Sequence, residues 1–64
     1  MRKVIERIEL KNGKTAEVIF NNNGKYGHWY NLIVKDKSDK TVFTKDSKSR
    51  EEIDHYLQQF VKKF

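Results

Sequence analysis

The 64-residue chain contains no cysteine, and its 14 basic and 9 acidic side chains give a net charge of +5. This length predicts one small domain, residues 1–64, with a total stability of about 3–10 kcal/mol, and the lack of cysteine excludes disulfides and thiolate metal sites. Basic and acidic residues alternate over residues 35–40, whereas strong nucleic-acid binders carry an unbroken basic stripe. The net charge therefore favours anionic partners only weakly.

A β-hairpin is predicted at the start of the chain. Aliphatic and polar residues alternate over about residues 3–11, which predicts a strand, although Glu6 interrupts its apolar side. Asn12 and Gly13 both tolerate positive φ, so they predict a tight turn into an antiparallel second strand over about residues 15–21. The core side of the two strands is expected to carry Val4, Ile8, Leu10, Ala16, Val18 and Phe20.

Two further strands are predicted after a loop that begins in the Asn and Gly cluster at residues 21–24. Residues 28–36 form the predicted central strand, because large apolar side chains fall on both of its faces. A polar turn then leads to a short edge strand over about residues 41–45. The alternation of the central strand places His28, Tyr30, Leu32 and Val34 on one face and Trp29, Asn31, Ile33 and Lys35 on the other.

An amphipathic helix is predicted at the end of the chain, over about residues 50–63. Ser49 and Glu52 have the spacing of a capping box, which marks the start of a helix. Acidic residues come first and lysines last, an order that complements the helix dipole. The apolar stripe consists of Ile53, Tyr56, Leu57, Phe60, Val61 and Phe64.

These elements predict an α+β fold, a four-stranded antiparallel β-meander with one C-terminal helix packed on one face. The order of strands and helix resembles the layout of the small single-stranded-DNA-binding domains of the transcriptional coactivator type. No motif in the chain matches their DNA-contacting positions, so this resemblance assigns no residue roles. A single helix leaves the second sheet face uncovered, and that face is expected to present Ile5, Ile19, Trp29 and Ile33, with Phe43 as a further candidate.

Catalysis and metal binding are not expected. The chain has no nucleophile elbow, no Gly-rich phosphate loop and no acidic pair in an apolar context. His28 and His55 lack partners at metal-ligand spacing. We therefore expect a protein that is not an enzyme and that needs no cofactor or metal.

The best candidate site is a partner-binding surface on the uncovered face, made of Trp29, Tyr26, His28, Ile33, Lys25, Lys35, Ile19 and Ile5. A protein partner is slightly favoured, because the mixed charge lowers the case for nucleic acid. Trp and Tyr also dominate interface hot spots, and edge strands accept added strands. The alternative is a single-stranded nucleic acid whose bases stack on the aromatic rings while lysines meet phosphates. A homodimer through the same apolar surface is the third possibility.

The cellular setting is expected to be cytoplasmic. The first residues alternate charged and aliphatic side chains, which is typical of neither a signal peptide nor a membrane span, so no membrane partner is expected. The bias towards Lys, Asn and Ile and the small size resemble the small accessory proteins of phages and mobile elements. Many of those proteins block a host protein by surface binding, which implies an adaptor or inhibitor role.

Overall fold

A computed structural model describes residues 1–63 and confirms the predicted β-meander with a C-terminal helix. The strands are β1 (Arg2–Glu9), β2 (Thr15–Asn23), β3 (Gly27–Lys35) and β4 (Thr41–Ser47), followed by the helix α1 (Arg50–Lys63). The four strands form one antiparallel sheet in the order β1-β2-β3-β4. β2 and β4 extend further than predicted, β1 ends earlier, and Phe64 of the predicted stripe lies outside the described residues.

The hydrophobic core lies between one face of the sheet and α1, which rests mainly on β3 and β4. Cross-strand pairs Val18 with Leu32 and Ala16 with Val34 place four core residues side by side. The helix adds Ile53 and Leu57 at the spacing of one helical turn. Burying these side chains is the main term that stabilises so short a chain.

Phe43 lies on the helix side of the sheet, which corrects its assignment to the uncovered face. It pairs with Val34 across β3 and β4, so it shares the face of that core residue. Its ring centroid lies 4.9 Å from that of Phe60 and 6.1 Å from that of Tyr56, both on α1. The last apolar position of the described helix differs from the prediction, because Val61 is 40% exposed.

A β-bulge in β1 reverses the predicted side of Val4. The register shifts between Val4, which pairs with Ile19, and Glu6, which pairs with Val18, so Ile5 is the extra residue. Val4 therefore lies on the uncovered face rather than in the core. Glu6 lies on the helix side, where its carboxylate accepts a hydrogen bond from Arg50 at 2.8 Å. The charged residue that interrupts the apolar pattern of β1 is therefore paired with a helix residue.

Half of the predicted capping box is present at the start of α1. The Ser49 hydroxyl accepts a hydrogen bond from the Glu52 amide at 3.3 Å. The Glu52 carboxylate lies 3.4 Å from the Lys45 ammonium instead of bonding back to Ser49. The Ser49 amide donates to the Ser47 hydroxyl at 3.0 Å, so a neighbouring side chain replaces the missing half.

The two hairpin turns at one end of the sheet touch each other. Asn12 (φ 64°) and Gly13 (φ 76°) both adopt the left-handed conformation, as the Asn-Gly pair predicts. A Cβ added to Gly13 would lie 2.9 Å from Cβ of Lys37 in the β3–β4 turn. Asp36 holds that turn, because its Oδ1 accepts hydrogen bonds from the amides of Ser38 and Lys40 at 2.8 and 3.0 Å.

We expect Gly13→Ala to lower the free energy of unfolding by more than the roughly 1–2 kcal/mol that a left-handed L-residue costs, because it adds a clash to the strain. Gly27 has φ of 87° but open space around an added Cβ, so Gly27→Ala should show the strain alone. Gly24→Ala meets neither obstacle and should be neutral. Urea unfolding of the three variants measures the series; equal stabilities for Gly13→Ala and Gly24→Ala would contradict the turn geometry.

Candidate functional site

The sheet face opposite α1, called the open face below, is covered by no other element within residues 1–63. Its cross-strand pairs are set by the strand register, which joins Val4 to Ile19 and Ile19 to Asn31, and Glu17 to Ile33. Trp29 lies on this face, as its position in the strand predicts, whereas Tyr30, Leu32 and Val34 lie on the helix side. The open face is therefore a mixed apolar and polar surface.

A shallow groove of about 350 Å³ crosses the middle of the open face. Ile33, which is partly exposed, and Val4, which is 48% exposed, are its accessible aliphatic side chains. Ile19, which the sequence predicts to be exposed, is only 4% exposed; it lies between Val4 and Asn31 of the adjacent strands and forms the floor of the groove. The groove is lined by Arg2, Val4, Glu17, Ile19, Ile33 and Lys35.

Trp29 borders a second depression, of about 500 Å³, at the corner of the sheet where β2 and β3 join. The indole is half-buried, and it lies in one cross-strand row with Asn21 and Arg2. An indole held against a sheet with part of its surface exposed can bury that surface against a partner at little entropic cost.

A polar chain crosses the open face between the groove and Trp29. The Asn21 amide donates to the Asn31 side-chain oxygen at 2.6 Å, and the Asn31 amide donates to the Asp46 carboxylate. Asn21 is only 7% exposed, so these bonds satisfy polar groups that would otherwise be costly to bury. These two hydrogen bonds fix the side chains of Asn21, Asn31 and Asp46 and make this part of the surface rigid.

The charges of the open face balance. By the strand register, its basic side chains are Arg2, Arg7 and Lys35, and its acidic side chains are Glu9, Glu17 and Asp46. The Lys35 ammonium lies 3.9 Å from Glu17 and 3.6 Å from Asp39. The net charge of +5 therefore resides on other parts of the molecule.

The structure separates several residues that the sequence groups in one site. Tyr26 and Lys25 lie in the β2–β3 loop, with the ammonium 5.5 Å from the ring centroid. Ile5 occupies the β1 bulge. His28 lies on the helix side, because it pairs with Asn22 and follows the alternation of Tyr30. Of the eight predicted site residues, Trp29, Ile33, Lys35 and Ile19 share the open face.

His28 belongs to a cluster of three aromatic rings on the helix side, which we call the ring cluster: Phe20, His28 and Tyr30. The Phe20 centroid lies 5.8 Å from that of His28 and 5.4 Å from that of Tyr30, and the latter two are 6.2 Å apart. His28 is exposed and the other two rings are partly exposed. The cluster thus presents aromatic surface near the start of α1.

Arg50, the first residue of α1, contacts the ring cluster at Tyr30. Its guanidinium carbon lies 5.9 Å from the Tyr30 centroid, and it bonds to Asp54 at 3.0 Å and to Glu6 at 2.8 Å. The hydrogen bond to Asp54 and the negative charges of both carboxylates raise the pKa of Arg50, outweighing the opposite effect of partial burial. Glu6 and Asp54 are therefore both paired with Arg50.

Sequence reasoning missed the contributions of Arg2, Val4, Glu17 and the polar chain to the open face. The bulge that turns Val4 outward leaves one sequence signal, the adjacent aliphatics Val4 and Ile5 before the misplaced charge of Glu6. The polar chain has no local signal, because its three members come from three strands.

Among residues 1–63 there is no group of three or more His, Cys, Asp or Glu side chains that could hold a metal ion. No helix in this part of the chain is long and apolar enough to cross a membrane. Comparisons with protein-family models, with curated protein sequences and with solved structures give no match for this chain. What its surfaces bind is therefore inferred from their own side chains.

Proposed function

We propose that the protein is a small non-enzymatic binding module that docks on a protein partner through its open face. The observation that carries this proposal is the half-buried Trp29 on an uncovered sheet face that also holds a groove with the aliphatic side chains of Val4, Ile19 and Ile33. Truncating a buried interface Trp typically costs more than truncating other residues, because the ring fills a desolvated pocket. Trp29 is the proposed anchor, and Ile33 with Val4 supplies the apolar surface around the groove.

The charge of the open face favours protein over single-stranded nucleic acid as its partner. A nucleic-acid groove needs an excess of cations along the phosphate backbone, but basic and acidic groups balance on this face. Lys35, a proposed phosphate contact in the alternative, lies within ion-pair distance of two carboxylates. A rim of both signs suits a protein surface with complementary charges of both signs.

The same argument indicates what kind of protein this module is. A rigid sheet face with one aromatic anchor suits an adaptor or an inhibitor that covers part of its target. Such a role is that of many small accessory proteins of phages and mobile elements, and the lack of cysteine suits a cytoplasmic location. A homodimer through the open face is the competing use of the same surface.

The decisive experiment compares the same substitution, valine to glutamate, at two positions. Val4→Glu places a charge in the groove, whereas Val42→Glu places one at the edge strand β4, outside the groove, at a residue of nearly equal exposure, 49% against 48%. Each full-length variant is used for capture from nuclease-treated cell lysate, and its self-association is measured by analytical ultracentrifugation.

We expect a specific protein to be retained by the wild type and by Val42→Glu and to be lost with Val4→Glu, since a charge cannot be desolvated cheaply in an apolar contact. Two results would overturn the proposal. Retention of the partner by both variants would place the interface elsewhere. A wild-type dimer that Val4→Glu alone dissociates would assign the open face to self-association.

A further inference from the structure

We propose a second binding site, independent of the open face: the ring cluster of Phe20, His28 and Tyr30 binds the bases of a single-stranded nucleic acid. The three rings belong to adjacent strands, with Phe20 directly opposite Tyr30 and His28 two residues before it. Rings on a sheet surface stack bases of any sequence, because every base presents a π-face. The occupant is identified by the combination of these rings with nearby lysines that form no ion pair in the described part of the chain.

The exposure of the ring cluster leaves aromatic surface for a ligand. The core side chains next along the same face, Val18 and Leu32, are almost completely buried, but His28 is exposed and Phe20 and Tyr30 are partly exposed. Phe20 and His28 thus lie beyond the part of the sheet that α1 covers, and Tyr30 lies at its edge, in contact with Arg50. Packing against the core accounts for the buried part of Tyr30. It does not account for the solvent-exposed aromatic surface of the cluster.

The cations near the ring cluster supply the charge that the open face lacks. Lys3 is the cross-strand neighbour of Phe20 and is exposed. Lys25 lies in the loop that joins the two ring-bearing strands, and Lys48 follows the strand residue opposite Tyr30. Within residues 1–63 none of these three lysines takes part in an ion pair, so their charges are available to phosphates.

Arg50 offsets part of the negative charge of Glu6 and Asp54 beside the ring cluster. Glu6 and Asp54 both lie within 3.0 Å of Arg50, which neutralises part of their field at the inner edge of the cluster. The ring cluster therefore faces solvent beside an excess of positive charge, while the open face is balanced. This difference in charge favours a polyanion on the helix side and a protein on the open face.

Single strands fit this surface better than duplexes do. Stacking requires bases whose faces are accessible, which a paired duplex does not offer. The lysines lie on different elements around the rings, so a flexible backbone can reach them. Both DNA and RNA present these bases and phosphates, and the two are distinguished by the probes used.

The test measures binding of fluorescent oligo-dT and oligo-U of about 12 nucleotides, within the usual site size, to the full-length protein by anisotropy at several salt concentrations. We expect saturable binding that weakens with salt, with a logarithmic slope of about −0.7 for each phosphate contact. Tighter binding of one probe identifies DNA or RNA as the preferred strand. A duplex of the same length should compete poorly.

Matched variants locate the site. His28→Ala removes an exposed ring and should weaken binding by about 5- to 150-fold, the loss associated with one stacked base. Lys3→Gln should reduce the magnitude of the logarithmic salt slope by about 0.7, because one phosphate contact is lost. Lys40→Gln makes an equal change of charge in the distant β3–β4 turn and should leave the slope unchanged. Tyr30→Leu is a second ring variant, and circular dichroism checks that each variant is folded.

Three results would overturn this inference: no binding of either strand at about 50 mM salt, where electrostatic binding is strong; equal effects of Lys3→Gln and Lys40→Gln; or full binding by folded His28→Ala and Tyr30→Leu. The open face provides the separating control, since Trp29→Ala changes no charge, lies on the opposite face of β3 and should not alter stacking on the ring cluster. Failure of the nucleic-acid site would leave the proposed protein-docking function standing, and the reverse also holds.

Discussion

Leu57→Ala is expected to lower the free energy of unfolding by about 2–5 kcal/mol, the range for removing a buried leucine side chain. Leu57 is 2% exposed and lies against the sheet core with Ile53 one turn earlier. The total stability of a chain of this size is only about 3–10 kcal/mol. The variant should therefore be largely unfolded or close to it, as measured by urea titration monitored by circular dichroism.

Val61→Ala is the matched control for Leu57→Ala. Both residues belong to the helix stripe by spacing, but Val61 is 40% exposed, so its truncation removes little buried surface. Alanine is also the better helix former, which offsets part of the loss. A similar destabilisation of the two variants would show that α1 packs on the sheet in a different rotation.

Trp29→Ala is expected to weaken binding of the protein partner by about 2 kcal/mol or more, as hot-spot truncations do. The indole is half-buried on the open face, so its loss should affect the interface more than the fold. Isothermal titration with the partner identified by capture measures the affinity, and a urea titration measures the stability of the free variant. Wild-type affinity in Trp29→Ala would remove the proposed anchor.

His28→Ala provides the counterpart, because it removes the neighbouring ring from the opposite face of the same strand. It should leave the protein partner's affinity unchanged and weaken only the binding of single strands. The salt response gives a second criterion, since apolar contacts to a protein should change little with salt whereas phosphate contacts are steeply weakened. Loss of the protein partner in both variants would mean that the two surfaces act as one.

The secondary structure could be predicted because its signals are local. The hairpin follows from the conformations that Asn12 and Gly13 tolerate, and both have positive φ in the structure. The helix follows from the 3.6-residue period of its apolar positions and from the Ser49 cap, which the Glu52 amide uses. In each case neighbouring residues in the chain make the interaction that decides the structure.

The candidate site could be predicted only in part. The alternation of β3 correctly separates Trp29 and Ile33 from Tyr30 and Leu32, because side chains in a regular strand must alternate. Grouping His28 with Trp29 placed two neighbours on one surface although a strand directs them to opposite sides. The rings then divide between two surfaces, one of balanced charge and one beside lysines that form no ion pair within residues 1–63.

The sequence by itself determined the order of the elements, the start of the helix and the faces of β3, since each depends on a repeat, a cap or a turn within a few residues. The tertiary structure alone decided the β1 bulge, the side of Val4 and the contact of Phe43 with α1. Those features depend on register, and register is chosen by contacts between residues far apart in the chain, such as Glu6 with Arg50 and Gly13 with Lys37. A shift of one residue exchanges the two faces of a strand, so the composition of each surface is set by the packing of the whole sheet.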